Sequence, residues 1–167
     1  IYRLLEEGDL DAVVGFRELD SMRVHASFRE VAKVPLVCVC PREHPLARRE
    51  QVRLEDLKTE KLVLFTPTKA SAQLAQIQGQ LMGGRPPSEF YFCESGEAAT
   101  VLVSAGFGVA VLPDLFVPQG FPAARIPLEG EAPLSFGVYY KSLQGNPLLR
   151  SFIRRLQEGF EPDAGRP

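Results

Sequence analysis

The chain has 167 residues, 45% hydrophobic and 24% charged, the balance of a folded globular protein rather than a disordered one. No apolar run reaches the ~18 residues of a membrane-spanning helix, which excludes a helical membrane protein. Lys+Arg 19 against Asp+Glu 21 gives a net charge of −2, so the chain lacks the basic balance of a stand-alone nucleic-acid binder.

Ile1, Leu4 and Leu5 are spaced as one face of a helix, which predicts a helix end over residues 1–7 capped by Gly8. Ala12-Val13-Val14-Gly15 reads as a short buried strand with Phe16 and Arg17 at its carboxyl end. Residues 17–30 have no period and read as loop. Val34 to Cys40 is a long apolar strand stopped by Pro41, and His44 sits in a turn bracketed by Pro41 and Pro45. Leu54 to Leu57 predicts one helical turn and Leu62 to Phe65 a strand. Thr66-Pro67-Thr68-Lys69 breaks that strand and opens a helix whose apolar face is Leu74, Ile77 and Leu81, ended by Gly83-Gly84.

Phe90 to Cys93 alternates as a strand, and Ser95 is the N-cap of the next helix, with Glu97 in its first turn. That helix passes through Ala98, Val101 and Leu102 to Gly106, and Val109 to Leu112 returns as a buried strand. Two more strands are expected near 125–128 and 134–140. A last helix starts at Pro147 and buries Leu148, Leu149, Phe152, Ile153 and Leu156; residues 159–167 read as a disordered tail. Strands alternating with helices predict an α/β protein with mostly parallel sheets. In such folds ligands lie beyond the carboxyl ends of strands and at helix N-termini. That rule selects Phe16-Arg17, Thr66 to Thr68, and Ser95.

The three cysteines make no closed disulfide set, and Cys38 and Cys40 alternate within one strand as buried, inert thiols. Their spacing suits neither zinc nor a redox pair, so a reduced, cytoplasmic setting is expected, with no metal and no cofactor. Two histidines without a supporting carboxylate or nucleophile give no catalytic set, so an enzyme is not expected. The first residue is Ile1 and no leader follows it, so the chain is read as a fragment.

Four segments in order carry a resemblance: Leu4 to Val14 around Glu7-Gly8-Asp9-Leu10-Asp11; Pro35 to Pro41 with His44-Pro45-Leu46-Ala47; Glu94-Ser95 followed by Val101 to Pro113 around Gly106-Phe107-Gly108; and Pro147 to Ile153. Over roughly residues 1–157 the chain resembles the effector-binding domain of a LysR-type transcriptional regulator. The helix–Gly-x-Gly–strand–Pro block is the most specific of the four.

The resemblance implies a type 2 periplasmic-binding-protein-like fold, α/β in class, with two α/β lobes joined by crossover strands. Lobe I would be residues 1–41 plus 137–167, with the first crossover at the end of the Val34–Cys40 strand; lobe II would be 42–136. A small effector, often an organic acid, would bind in the cleft between lobes. It would control promoter DNA binding by a helix-turn-helix outside this chain, in a homodimer or tetramer of the full-length protein, with no membrane involved. The opening strand–helix–strand of the first lobe would be missing, leaving apolar surface uncovered.

The candidate ligand residues each carry two readings. Thr66 and Thr68 offer hydroxyls to a carboxylate or merely cap their own helix. Ser95 caps a helix whether or not a ligand binds. Phe107, flanked by Gly106 and Gly108, lines the cleft or packs under its loop. Arg17 pairs with an acidic effector or stays solvated, next to Phe16 at the strand end. Gly106-x-Gly108 closes a helix and opens a strand, the reverse of a dinucleotide-binding fingerprint. A solute-binding protein of a transport system is the alternative with the same fold.

Overall fold

In the computed structural model, which describes residues 1–18, 25–67 and 70–161, the chain divides into two units. The first comprises Ile1–Lys33 with Ser135–Pro167, the second Val34–Leu134. In the first unit, α1 (Tyr2–Glu7) buries Leu5 and is capped by Gly8, whose N–H reaches back to Leu4 and Leu5. β1 (Ala12–Phe16) pairs antiparallel with β8 (Leu134–Tyr140), Val13 opposite Tyr139 and Phe16 opposite Phe136. β2 (Ser27–Val34) lies on the other side of β8.

Because neighbours on a strand face opposite ways, Tyr139 and Val138 serve two cores. Tyr139 packs with Leu5 and Val13; Val138 packs with Leu149 and Ile153 of α4 (Pro147–Phe160). α4 starts as its Pro147 predicts, with the Asn146 side chain accepting from the Leu149 N–H at 2.9 Å.

The second unit is built around β3 (Leu36–Pro41), buried from Leu36 to Cys40. It pairs antiparallel with β6 (Ala110–Pro113) and with β7 (Ala123–Pro127). β4 (Leu62–Phe65) pairs in parallel with β5 (Phe90–Cys93). Two hydrogen bonds join β4 to the lead-in of β6: Val63 N–H to the Val109 carbonyl (2.8 Å) and Val109 N–H to the Lys61 carbonyl (2.9 Å). α2 (Ala72–Met82) buries Leu74, Ile77, Gln78 and Leu81; α3 (Gly96–Ser104) buries Ala99, Thr100 and Val103. Among the described residues, no helix is long and apolar enough to cross a membrane.

Several expectations need correction. The sheets are not mostly parallel: β1 runs antiparallel to β8, and β3 antiparallel to both β6 and β7, while β4 and β5 are parallel. β3 pairs with β6 and β7 of the second unit, which runs from Val34 to Leu134, whereas the resemblance implies a lobe II of 42–136.

Residues 27–30, read as loop, open β2 instead; 19–24 lie outside the described residues. The last helix runs on to Phe160, past the expected start of the tail, while residues 162–167 lie outside the described ones. On α4 the buried stripe is narrower than the apolar run. Leu149 and Ile153 are inside, but Leu148 and Phe152, about 100° round the helix, are 80% and 44% exposed. They line a shallow apolar groove with Asp11, Ala12 and Asn146.

Candidate functional site

Parallel strands bring their carboxyl ends to one edge, and in the second unit β4 ends there at Phe65 and β5 at Cys93. The backbone links them onward, with Thr66 N–H donating to the Cys93 carbonyl at 2.9 Å. Two residues past β5, Ser95 turns the chain into α3. Its hydroxyl accepts from the Ala98 N–H at 3.1 Å, the N-cap its residue type and position predict.

A pocket of about 480 Å³ opens at this edge, lined by Phe65, Glu94, Ser95, Gly96, Glu97, Leu115, Phe116 and Pro118. Its size suits a small organic molecule. The floor is aromatic: Phe65 is buried, and its ring meets that of Phe116 edge-on at 5.9 Å between centroids. Gly96 is required where it stands, because a Cβ there would lie 2.7 Å from the Phe116 carbonyl oxygen.

Two networks hold this wall in place. Gln78 of α2, buried, clasps Phe65 on both sides: the Phe65 N–H donates to its amide oxygen (2.8 Å) and its amide nitrogen donates to the Phe65 carbonyl (3.0 Å). Arg125 of β7 holds the turn that carries Leu115 and Phe116. Its guanidinium pairs with the Asp114 carboxylate and donates to the Asp114 carbonyl at 3.2 Å.

The electrostatics of the rim are acidic. Glu94 and Glu97 are both exposed. The Glu97 carboxyl is held below its usual range, first by its own backbone N–H and then by the Ser95 hydroxyl. Glu97 thus places a carboxylate of the protein itself in the first turn of α3.

Thr66 carries the one orphan at this edge. Its hydroxyl oxygen is buried and has no hydrogen-bond partner among the described residues. It does not cap α2: Ser71 does, accepting from the Leu74 N–H at 3.4 Å, so the helix begins at Ala72, later than expected. Thr68 lies outside the described residues.

Phe107 and Gly108 do not join this pocket. They lie beyond the other end of α3, a helix of nine residues and so about 13 Å long at ~1.5 Å per residue. Phe107 meets Tyr91 edge-on at 5.1 Å, and a Cβ on Gly108 would collide with the Lys61 carbonyl. In the first unit, Phe16 is buried against Phe136 at 5.3 Å between ring centroids. Arg17 is exposed, with its backbone N–H on the Ser135 carbonyl (2.7 Å) and its guanidinium 5.7 Å from the centre of the Phe28 ring.

Sequence reasoning missed Gln78, Leu115 and Phe116. Gln78 had a signal, since it is a lone amide on the face of α2 marked by Leu74, Ile77 and Leu81. Such a residue must find partners when buried. Leu115 and Phe116 had none, because a short turn after a strand carries no period.

Burial raises the thiol pKa of Cys38 and raises that of Cys40 to about 11, as expected of inert cysteines. His44 is structural: its ring accepts from the Leu46 N–H and lies 3.2 Å from Glu60. Among the described residues there is no group of three or more His, Cys, Asp and Glu that would hold a metal ion.

Comparison with known proteins places this geometry in a family. The family model for the LysR substrate binding domain matches residues 1–161. The uncharacterized HTH-type transcriptional regulator YnfL of Escherichia coli (strain K12) is 31% identical over 153 residues, which is 89% of this chain but 50% of that protein. The chain thus spans half the length of that relative. Among solved structures, the reduced form of OxyR aligns with 98% of this chain and 77% of its own at a TM-score of 0.73 and 23% identity. The BenM effector-binding domain with its effector benzoate aligns with 99% of this chain and 78% of its own at a TM-score of 0.69 and 21% identity. The fold is accordingly the periplasmic-binding-protein-like fold of these domains, and the chain belongs to the LysR substrate-binding domain family.

Proposed function

We propose that this chain is the effector-sensing part of a LysR-type transcription regulator, and that its effector seats in the pocket at the carboxyl ends of β4 and β5. The observation that carries the reading is the joint one of a ligand-sized pocket at a parallel strand edge with the start of α3 on its rim. Ser95, on the pocket wall, and Thr66, next to the lining residue Phe65, are the hydroxyl candidates: one already caps a helix, the other is buried with no partner among the described residues. Benzoate, the effector of the BenM domain, is an organic acid, the class that the resemblance implies for ligands of this family.

Promoter DNA would be bound by another part of the whole protein. Support comes from the net charge of −2 here and from the half of an HTH-type relative that this chain leaves unmatched. A homodimer or tetramer would transmit the effector signal. A reading as a transport receptor has less support, since the family match and the named relative both belong to regulators.

The test is a thermal-shift screen of small organic acids and amines, followed by calorimetry on the hits. Ligand at about 100 times its Kd stabilises a protein by ~2.7 kcal/mol, an easily read shift. Ser95→Ala and Thr66→Ala should each weaken effector binding while the protein stays folded. Unchanged affinity in both variants would show that the pocket has been assigned wrongly.

A further inference from the structure

We infer that the pocket of the second unit selects an organic cation, an amine carried on an apolar body, over a free carboxylate. The inference rests on the reading of this pocket as the effector seat and departs from the organic acid that the resemblance implies. A helix N-terminus beside a cavity ordinarily argues for an anion. Here Glu97 already stands in the first turn of α3, its carboxyl held below its usual range by its own backbone N–H and the Ser95 hydroxyl, and the Ser95 hydroxyl occupies the Ala98 N–H.

A ligand carboxylate would therefore meet a carboxylate where the helix would otherwise offer donors. It would meet Glu94 as well, the other charged residue on the pocket wall. Among the described lining residues there is no Lys or Arg to offset the pair. Arg125, on the far side of the turn, is already committed to the Asp114 carboxylate and the Asp114 and Val117 carbonyls. It holds the wall rather than the ligand.

The rest of the lining suits the other half of such a molecule. Phe65 and Phe116 present an edge-to-face aromatic pair, with Leu115 beside it. Aromatic faces attract ammonium groups and accept an apolar ring or chain equally well. An ammonium between Glu94 and Glu97 with its apolar body on the two rings satisfies both sides of the pocket at once. A carboxylate of the same shape satisfies only the rings.

Benzylamine and benzoate share a ring and differ in the sign of their charge, which makes them the probe pair. Each is titrated into the isotopically labelled full chain at pH 7, following the backbone amides of Ser95, Gly96 and Phe116 by NMR. Benzylamine should shift these amides with a Kd at least tenfold below that of benzoate. The double variant Glu94→Gln with Glu97→Gln should remove that preference, and added salt should weaken benzylamine in the native chain. Glu94→Gln alone, outside α3, serves if the double variant loses its dispersed spectrum, and should cost benzylamine at least threefold. If benzoate binds at these amides as tightly as benzylamine, or if neither Gln variant changes benzylamine binding, the cation inference is overturned while the pocket keeps its role. If neither probe shifts these amides at millimolar concentration, the pocket reading itself fails and the inference falls with it.

Discussion

At the Ser95 end of α3, Gly96 lies against Phe116 and the chain leaves a pocket; at the Gly106 end, Gly108 lies against Lys61 and two backbones meet. Both ends use the absence of a side chain to permit close approach. They differ in what is approached. Phe116 sits on a short turn after β6, 36% exposed, and that turn is fixed from outside by Arg125. Lys61 leads into β4, and its carbonyl is half of the paired hydrogen bonds that join β4 to β6. The first contact shapes a surface and the second closes a core. Candidate ligand residues read from the sequence fall at both ends, Ser95 at one and Phe107 and Gly108 at the other, with the length of α3 between them.

The sharpest way to break this contrast is Gly108→Ala. The new Cβ would strike a backbone carbonyl that cannot swing aside, so β6 must part from β4 and strain its two hydrogen bonds. The expected cost is at the upper end of overpacking, about 3 kcal/mol or more. Urea unfolding measures it, and a loss below about 1 kcal/mol would mean that the joint is soft. Gly96→Ala comes next, because its Cβ meets the Phe116 carbonyl at 2.7 Å and the Phe116 Cβ at 2.8 Å on a turn that can shift outward. A cost of about 1–2 kcal/mol is expected, together with weaker effector binding as Phe116 moves. Were the two variants equally destabilised, the distinction between a pocket wall and a core joint would not hold.

How much of this was written in the sequence depends on whether the signal was local. Ser95 as N-cap, Pro147 as the first residue of α4 and Gly8 as a cap are local signals, and the structure has each of them in place. The location of β3 was not legible: five consecutive buried residues say only that a strand is covered on both faces, not which unit covers it. The α4 stripe misled for a related reason. An apolar residue at Leu148 or Phe152 reads as core in a helical pattern, yet exposure depends on what packs there. Of the pocket lining, Ser95 at the α3 start was legible, while Glu94, Glu97 and the aromatic floor were not. Phe65 is one more buried strand residue until the turn at Leu115 and Phe116 is folded back beside it.

The smallest expected effect bears most directly on whether the open end of α3 is built for a ligand. The Thr66 hydroxyl is buried without a partner among the described residues, and such a group carries a desolvation penalty of ~1–3 kcal/mol. Valine has nearly the same shape and no hydroxyl, so Thr66→Val should leave stability unchanged or raise it by up to about 1 kcal/mol, a gain of ~2–4 °C in Tm for a chain of this size. Ser95→Ala points the other way, because it removes a helix cap and should cost ~1 kcal/mol. Both should weaken the effector. A variant that gains stability while losing affinity identifies a hydroxyl held unpaired for a ligand. If Thr66→Val instead lowers Tm by several degrees, the hydroxyl has a structural partner, and Thr66 is no effector contact.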